Sequence, residues 1–231
     1  MNPLHKISPC FAISVPRFTS WAPGLAGPED WREWAGGGRE IEKSKTGPPL
    51  EFTDPLFRRR LSQVSRMTIQ VLHDLAPFSE QTKIVFVSFR GEIAQQFKIN
   101  RMLVEEGGLS PAAFSQSVFN TPPALAAAAL NLRAGYSALY PGKDLFRTGF
   151  LAAAAAILSG TARESVLVYA DELCPSEYGR LCPEDKRPLA FAALLCAQNE
   201  GRTLHISPGA EGGEDPLVSP EKFIAYLWSG T

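Results

Sequence analysis

The chain has 231 residues, of which 45% are apolar and 20% charged, and a formal net charge of −1. That length suits one medium domain with a real core. The near-zero charge excludes a whole-molecule field that would draw nucleic acid or an anionic membrane surface. The longest apolar run, 150–158, is too short to span a bilayer and is mostly alanine. The opening stretch MNPLHKISPCFAISVPRF has a short apolar run broken by Pro9 and Pro16, without the long apolar segment and cleavage site of a signal peptide. A soluble, cytoplasmic protein is expected.

Taken in chain order, CFAISVPRF is rich in β-branched and aromatic residues and predicts a first strand. Residues 21–52 form a Gly/Pro-rich loop insertion, interrupted by a short helix at 28–35 with Pro28 in its first turn and Glu29 and Asp30 near its N-terminus. DPLFRRRLSQVSRMTIQVLHDL reads as one helix, capped by Asp54, with Leu61, Val64, Thr68, Val71, Leu72 and Leu75 on a buried stripe. KIVFVSF is apolar without alternation, as in a strand covered on both faces. GEIAQQFKINRMLVEEGG follows as a helix ended by Gly107 or Gly108. A loop or short helix begins at Ser110, and an Ala-rich helix opens at Pro122 and Pro123 and closes by Gly135.

GYSALYPGKDLFRTGFLAAAAAILSG then reads as a strand, a tight turn and an alanine-packed helix. That geometry often presents a nucleophile at the turn, yet the turn offers Pro141, Gly142, Lys143 and Asp144, with neither Cys nor Ser. SVLVYAD and LAFAALLCAQ predict further strands, TLHISPG a weaker one, and SPEKFIAYLWSG a short helix. The order suits an α/β fold, a mixed five-stranded sheet with helices on both faces, in one domain over 1–231.

Four cysteines stand at 10, 174, 182 and 196, with no His or further Cys close enough to complete a zinc site. All four are expected to be reduced and structural. No metal and no cofactor is expected. His5, His73 and His205 are isolated and read as ordinary side chains.

FAISVPRFTSWAPG, PLFRRRLSQVSRMT, IVFVSFRGEI, SPAAFSQSVFN, GYSALYPGKDLF and VLVYADELCPSEY together resemble the β-ketoacyl synthase-like N-terminal domain, of the thiolase-like condensing enzymes. They cover most of residues 10–200. The combination resembles short proteins of aryl-polyene and similar polyketide or fatty-acid-type pathways. The resemblance implies half of a thiolase fold, without the second, His-bearing half. In the family a nucleophilic Cys sits at the elbow after the third strand. Its equivalent position here falls on Lys143 or Asp144, so the nucleophile does not carry over.

The remaining candidates follow from that resemblance. Asp144 is either a helix cap, with its carboxylate accepting backbone N–H groups, or a base or nucleophile in a vestigial pocket. Lys143 is either a ligand for a carrier-protein phosphopantetheine or an exposed turn lysine. In FSQSVFN, Phe119 stands where the family usually has His; Ser117 lacks a partnering His, and Asn120 is expected to tie down its loop. Arg58, Arg59, Arg60 and Arg66 suggest a basic patch facing an acidic acyl carrier protein, with Arg59 and Arg66 on one helix face. A solvated or locally paired set is the alternative. Thiolase-like dimers pair their third strands, here Tyr136, Ser137, Ala138, Leu139 and Tyr140, whose edge would otherwise be left open.

The resulting expectation is a non-catalytic, chain-length-factor-like subunit, not an enzyme on its own. It would join a full-length ketosynthase as a heterodimer, or itself as a homodimer, with an acyl carrier protein as a further partner. The alternative is an acyltransferase or hydrolase acting on acyl thioesters through Asp144 or a partner's residues.

Overall fold

Six strands build one sheet: β1 (Phe11–Trp21), β2 (Lys83–Val87), β3 (Tyr136–Leu139), β4 (Glu164–Asp171), β5 (Leu189–Cys196) and β6 (Arg202–Ile206). This computed structural model describes residues 11–181, 186–197, 201–206 and 215–230. The strand order is β3-β2-β4-β5-β1-β6. β2 runs parallel to β3 and β4, whereas β4–β5, β5–β1 and β1–β6 are antiparallel.

The expected α/β fold with helices on both faces is present, with one strand more than the five anticipated. TLHIS has weak local preference, but pairing in register with β1 (Ala12 opposite His205) supplies its ladder, and Leu204 and Ile206 are buried on either side of exposed His205. Tertiary pairing overrides propensity here.

The central strands are apolar throughout because both faces are covered. On one face Leu167, Tyr169, Phe191, Ala193 and Leu195 pack under α7 (Leu145–Leu158), α8 (Pro220–Trp228) and Trp31 of α1 (Pro28–Ala35). On the other, Val166, Val168, Ala190 and Ala192 pack under α3 (Gln63–Leu75) and α6 (Thr121–Ala129). Gly149 lets α7 approach β2 closely, since a Cβ there would stand 2.3 Å from a methyl of Val87.

Two helix expectations are corrected. Asp54 does cap a helix, accepting from Leu56 N at 2.8 Å and Phe57 N at 3.1 Å, but that helix is only α2 (Pro55–Arg58). The chain breaks and restarts because Ser62 Oγ accepts from Ser65 N at 3.0 Å, capping α3 afresh. The Ala-rich α6 ends at Ala129, well before Gly135, with Asn131 turning the chain at φ 54°.

The 36–49 segment is held by side chains of α3. Gln63 Nε2 donates to the carbonyls of Ser44 (2.8 Å) and Thr46 (2.9 Å), and Arg66 donates to that of Pro48 (3.2 Å).

The cysteine expectation is also corrected, because Cys174 is disulfide-bonded, whereas Cys196 is a half-buried thiol. Such pairing depends on Cα atoms meeting within ~7 Å, which sequence spacing does not reveal. Cys10, Cys182 and His5 lie outside the described residues. Among the described residues no helix is long and apolar enough to cross a membrane.

Candidate functional site

Because β2, β3 and β4 are parallel, the segments leaving them emerge at one end of the sheet. There α4 (Ile93–Glu106), α5 (Pro111–Ser115) and β3 border an open cleft of about 750 Å³. Six of the sequence candidates line it: Ser117, Phe119, Asn120, Tyr136, Ala138 and Tyr140.

Each has a local reason for its position. Phe119 is buried, stacks on Tyr140 at 4.6 Å between centroids and meets Phe86 edge-on at 6.3 Å. Gly91, at φ +55°, brings the β2–α4 turn onto the same ring, since a Cβ there would lie 2.6 Å from Phe119 Cδ2. Asn120 Nδ2 donates to Tyr136 Oη at 3.2 Å, so it ties its loop to the edge strand. Ser117 Oγ donates to the Phe114 carbonyl at 2.8 Å, which occupies its hydroxyl locally. Tyr140 itself is 74% exposed.

Among the described residues β3 pairs with β2 alone and is the outer strand of the sheet. Its other edge, bordered by exposed Ser137 and half-buried Ala138 and Leu139, has no strand beside it among them.

At the elbow, Lys143 and Asp144 are both exposed. Asp144 occupies the N-cap position of α7, but its backbone is left-handed (φ 55°, ψ 34°) and its side chain makes no cap hydrogen bond. The capping expectation is therefore corrected. A working N-cap has extended backbone that aims the side chain back over the first N–H groups, and this residue lacks it.

The arginines lie elsewhere. Arg58 donates to the Leu50 carbonyl at 3.3 Å, and Arg66 to the carbonyls of Pro48 and Arg58. Arg59 and Arg60 are exposed. Since Arg59 lies just past α2 and Arg66 lies on α3, the two do not share a helix face.

The sequence reading missed a buried acidic layer at the same end of the sheet, where β4 ends. Asp171 accepts from Ser88 Oγ (2.6 Å), Tyr169 Oη (2.8 Å) and the N–H groups of Phe89 and Arg90 (3.2 and 3.1 Å). Burial raises its pKa against those bonds. Glu172 accepts from Ala94 N at 2.9 Å and Val64 N at 3.4 Å, and burial pushes it up to about 7. Glu92 accepts from Ser65 Oγ (2.5 Å) and Ser62 Oγ (2.9 Å); burial and then the neighbouring Glu172 charge push it up to about 8. The clue was a carboxylate pair directly after a wholly apolar strand, in VLVYADEL, which has to lie at a buried strand end.

His73 stacks on Phe52 at 3.6 Å and pairs with Asp74, away from the cleft, and His205 is exposed on β6. Among the described residues no group of three or more His, Cys, Asp or Glu is arranged to hold a metal ion. What the site offers is an aromatic cleft, an open strand edge and a bare elbow.

Comparison with known proteins gives this geometry a lineage. The family model for the β-ketoacyl synthase N-terminal domain matches residues 31–218. The ketosynthase ApeO in complex with its chain length factor ApeC, from Xenorhabdus doucetiae, is similar at TM-score 0.70 and 21% identity, over 96% of this chain and 93% of that one. The ishigamide ketosynthase/chain length factor matches at TM-score 0.68 and 10% identity, over 82% of this chain and 64% of that one. A ketosynthase from module 1 of the bacillaene synthase of Bacillus amyloliquefaciens FZB42 matches at TM-score 0.59 and 14% identity, over 80% of this chain but 42% of that one. No curated protein matches by sequence. At these identities the structures share the thiolase-like fold, and the family match over most of the length decides the rest: the chain belongs to the β-ketoacyl synthase N-terminal domain family.

Proposed function

We propose that this protein is a non-catalytic, chain-length-factor-like subunit of a polyketide, aryl-polyene or fatty-acid-type condensing system. The observation that carries the reading is the outer edge of β3, unpaired among the described residues, beside an aromatic cleft of about 750 Å³ and followed by an elbow without Cys. An open edge flanked by exposed aromatics is costly to leave uncovered. A second thiolase-like chain would cover it, either a full-length ketosynthase in a heterodimer or a second copy in a homodimer. Exposed Arg59 and Arg60 are the remaining surface for an acidic carrier protein. Such a system works in the cytoplasm, and the Cys174 disulfide is then the feature least expected of that compartment.

The test is co-expression with a full-length ketosynthase and a carrier protein, tagging this chain alone, with light scattering on what copurifies. A stoichiometric complex with the synthase, or a homodimer, supports the reading. A monomer that retains neither overturns it.

One observation favours an acyl-thioester enzyme as a second reading. Asp144 stands exposed in a left-handed conformation, with its carboxylate unused as a cap. Under it, Asp144→Asn abolishes thioester turnover while assembly persists; unchanged turnover in that variant sinks the idea.

A further inference from the structure

We propose that Glu92 and Glu172 form a proton-dependent latch at the base of α4, holding the helix against the cleft while the pair carries a proton and releasing it when that proton is lost. The latch is a property of this chain alone and does not depend on the assembly reading.

The geometry is that of a joint. Glu172, at the end of β4, accepts from Val64 N and Ala94 N, the second residues of α3 and α4, so one carboxylate caps two helices. The positive ends of both helices favour its charge. Glu92 is the N-cap residue of α4, but its side chain turns away to take the hydroxyls of Ser65 and Ser62 on one oxygen. Its other oxygen, Oε2, is buried with no partner. A bare carboxylate oxygen in that position suits the protonated acid and not a second anion.

The charged groups around the pair offer little neutralisation. Asp171 adds a further carboxylate from β4, Lys98 on α4 is exposed, and Arg90 in the β2–α4 turn is half-buried. The start of α3 faces Glu92 with hydroxyls and no charge. Burial and the Glu172 charge hold Glu92 up to about 8, and burial holds Glu172 up to about 7.

The latch matters because α4 has little else to hold it. Of its residues Ile93–Glu106 only Ile99 is buried, whereas α3 buries nine. Along its body Phe97 makes an edge contact with Tyr178. Gln96, Ile99 and Asn100 of the same helix line the cleft. When the Glu92 O–H bond breaks and its proton passes to solvent base, two buried anions face each other. The first turn of α4 then opens to hydrate them, and the cleft wall goes with it.

The sign follows from the direction of the shifts. Both folded-state pKa values lie above the ordinary carboxylate value, so the stabilisation is complete only below that value, falls progressively as pH rises from it, and is fully lost once pH has passed about 7 to 8.

The experiment is amide hydrogen exchange on the full chain at about pH 6 and about pH 9, corrected for intrinsic exchange, following α4 against α7. The expected result is a loss of α4 protection of up to about tenfold per pH unit as pH rises from about 6 toward the pair's titration, levelling off above it, with α7 unchanged. In Glu92→Gln the α4 protection falls less, because only Glu172 still titrates in that range. Infrared spectroscopy of the wild-type chain, which needs no variant, is expected to lose a protonated-carboxyl band over the same range. Constant α4 protection in the wild type, an equal loss in Glu92→Gln, or no loss of the carboxyl band each overturns the latch.

Discussion

The face of the sheet under α7 and α8 and the corner between α4 and β3 use similar residues in opposite ways. Under α7 and α8, Phe146, Phe150, Phe191 and Phe223 are buried in one aromatic cluster, with Phe191 5.9 Å from Phe146 and 5.4 Å from Phe223. At the α4–β3 corner, Tyr140, Phe114 and Val104 are 74%, 56% and 86% exposed, and carboxylates occupy the interior. The first region satisfies itself and sets the stability of the fold. The second leaves both a strand edge and apolar side chains uncovered among the described residues, the surface on which the proposed partner would sit.

Substitutions on each side should separate the two roles. The largest effect is expected for Phe191→Ala, about 3–5 kcal/mol of stability lost in urea unfolding, with any assembly state unchanged under native conditions. Tyr140→Asp removes the stack on Phe119 and should cost only about 0.5–1.5 kcal/mol, yet it should eliminate copurification of a partner; retention of the partner would move the interface away from β3. The smallest stability change belongs to Asp144→Asn. It is exposed and makes no cap bond, so unfolding should shift by less than about 0.5 kcal/mol. A larger shift would mean that the elbow carboxylate has a structural task after all.

Much of the fold was legible because its signals are local. Pro28, Glu29 and Asp30 marked α1 at its observed bounds, and the unbroken apolar runs of β2 and β4 announced strands covered on both sides. The cleft was half legible: Ser117, Phe119 and Asn120 were singled out through family resemblance, and they meet Tyr136 and Tyr140 in space. The Glu92–Glu172 pair was not legible, because its members are 80 positions apart: VLVYADEL placed Glu172 at a buried strand end, but Glu92 sits in FRGEI, a polar turn that looks solvated in one dimension. Ser62 was missed for a different reason. The apolar stripe of α3 continues back to Leu61, so periodicity hid the cap that restarts the helix.

The position of β1 in the sheet also governs how the chain is made. β1 lies between β5 and β6, so the segment Phe11–Trp21 has neither neighbour until Leu189–Ile206 has been synthesised. The roughly 170 residues between them, at about 5–20 residues per second, leave it waiting on the order of 10–30 s. Meanwhile β2, β3 and β4, joined by their helices, can pair in the order they emerge from the ribosome. Of the six strands, the one translated first is thus inserted late, and for that interval FAISV is an apolar segment exposed to chaperones and to neighbouring nascent chains.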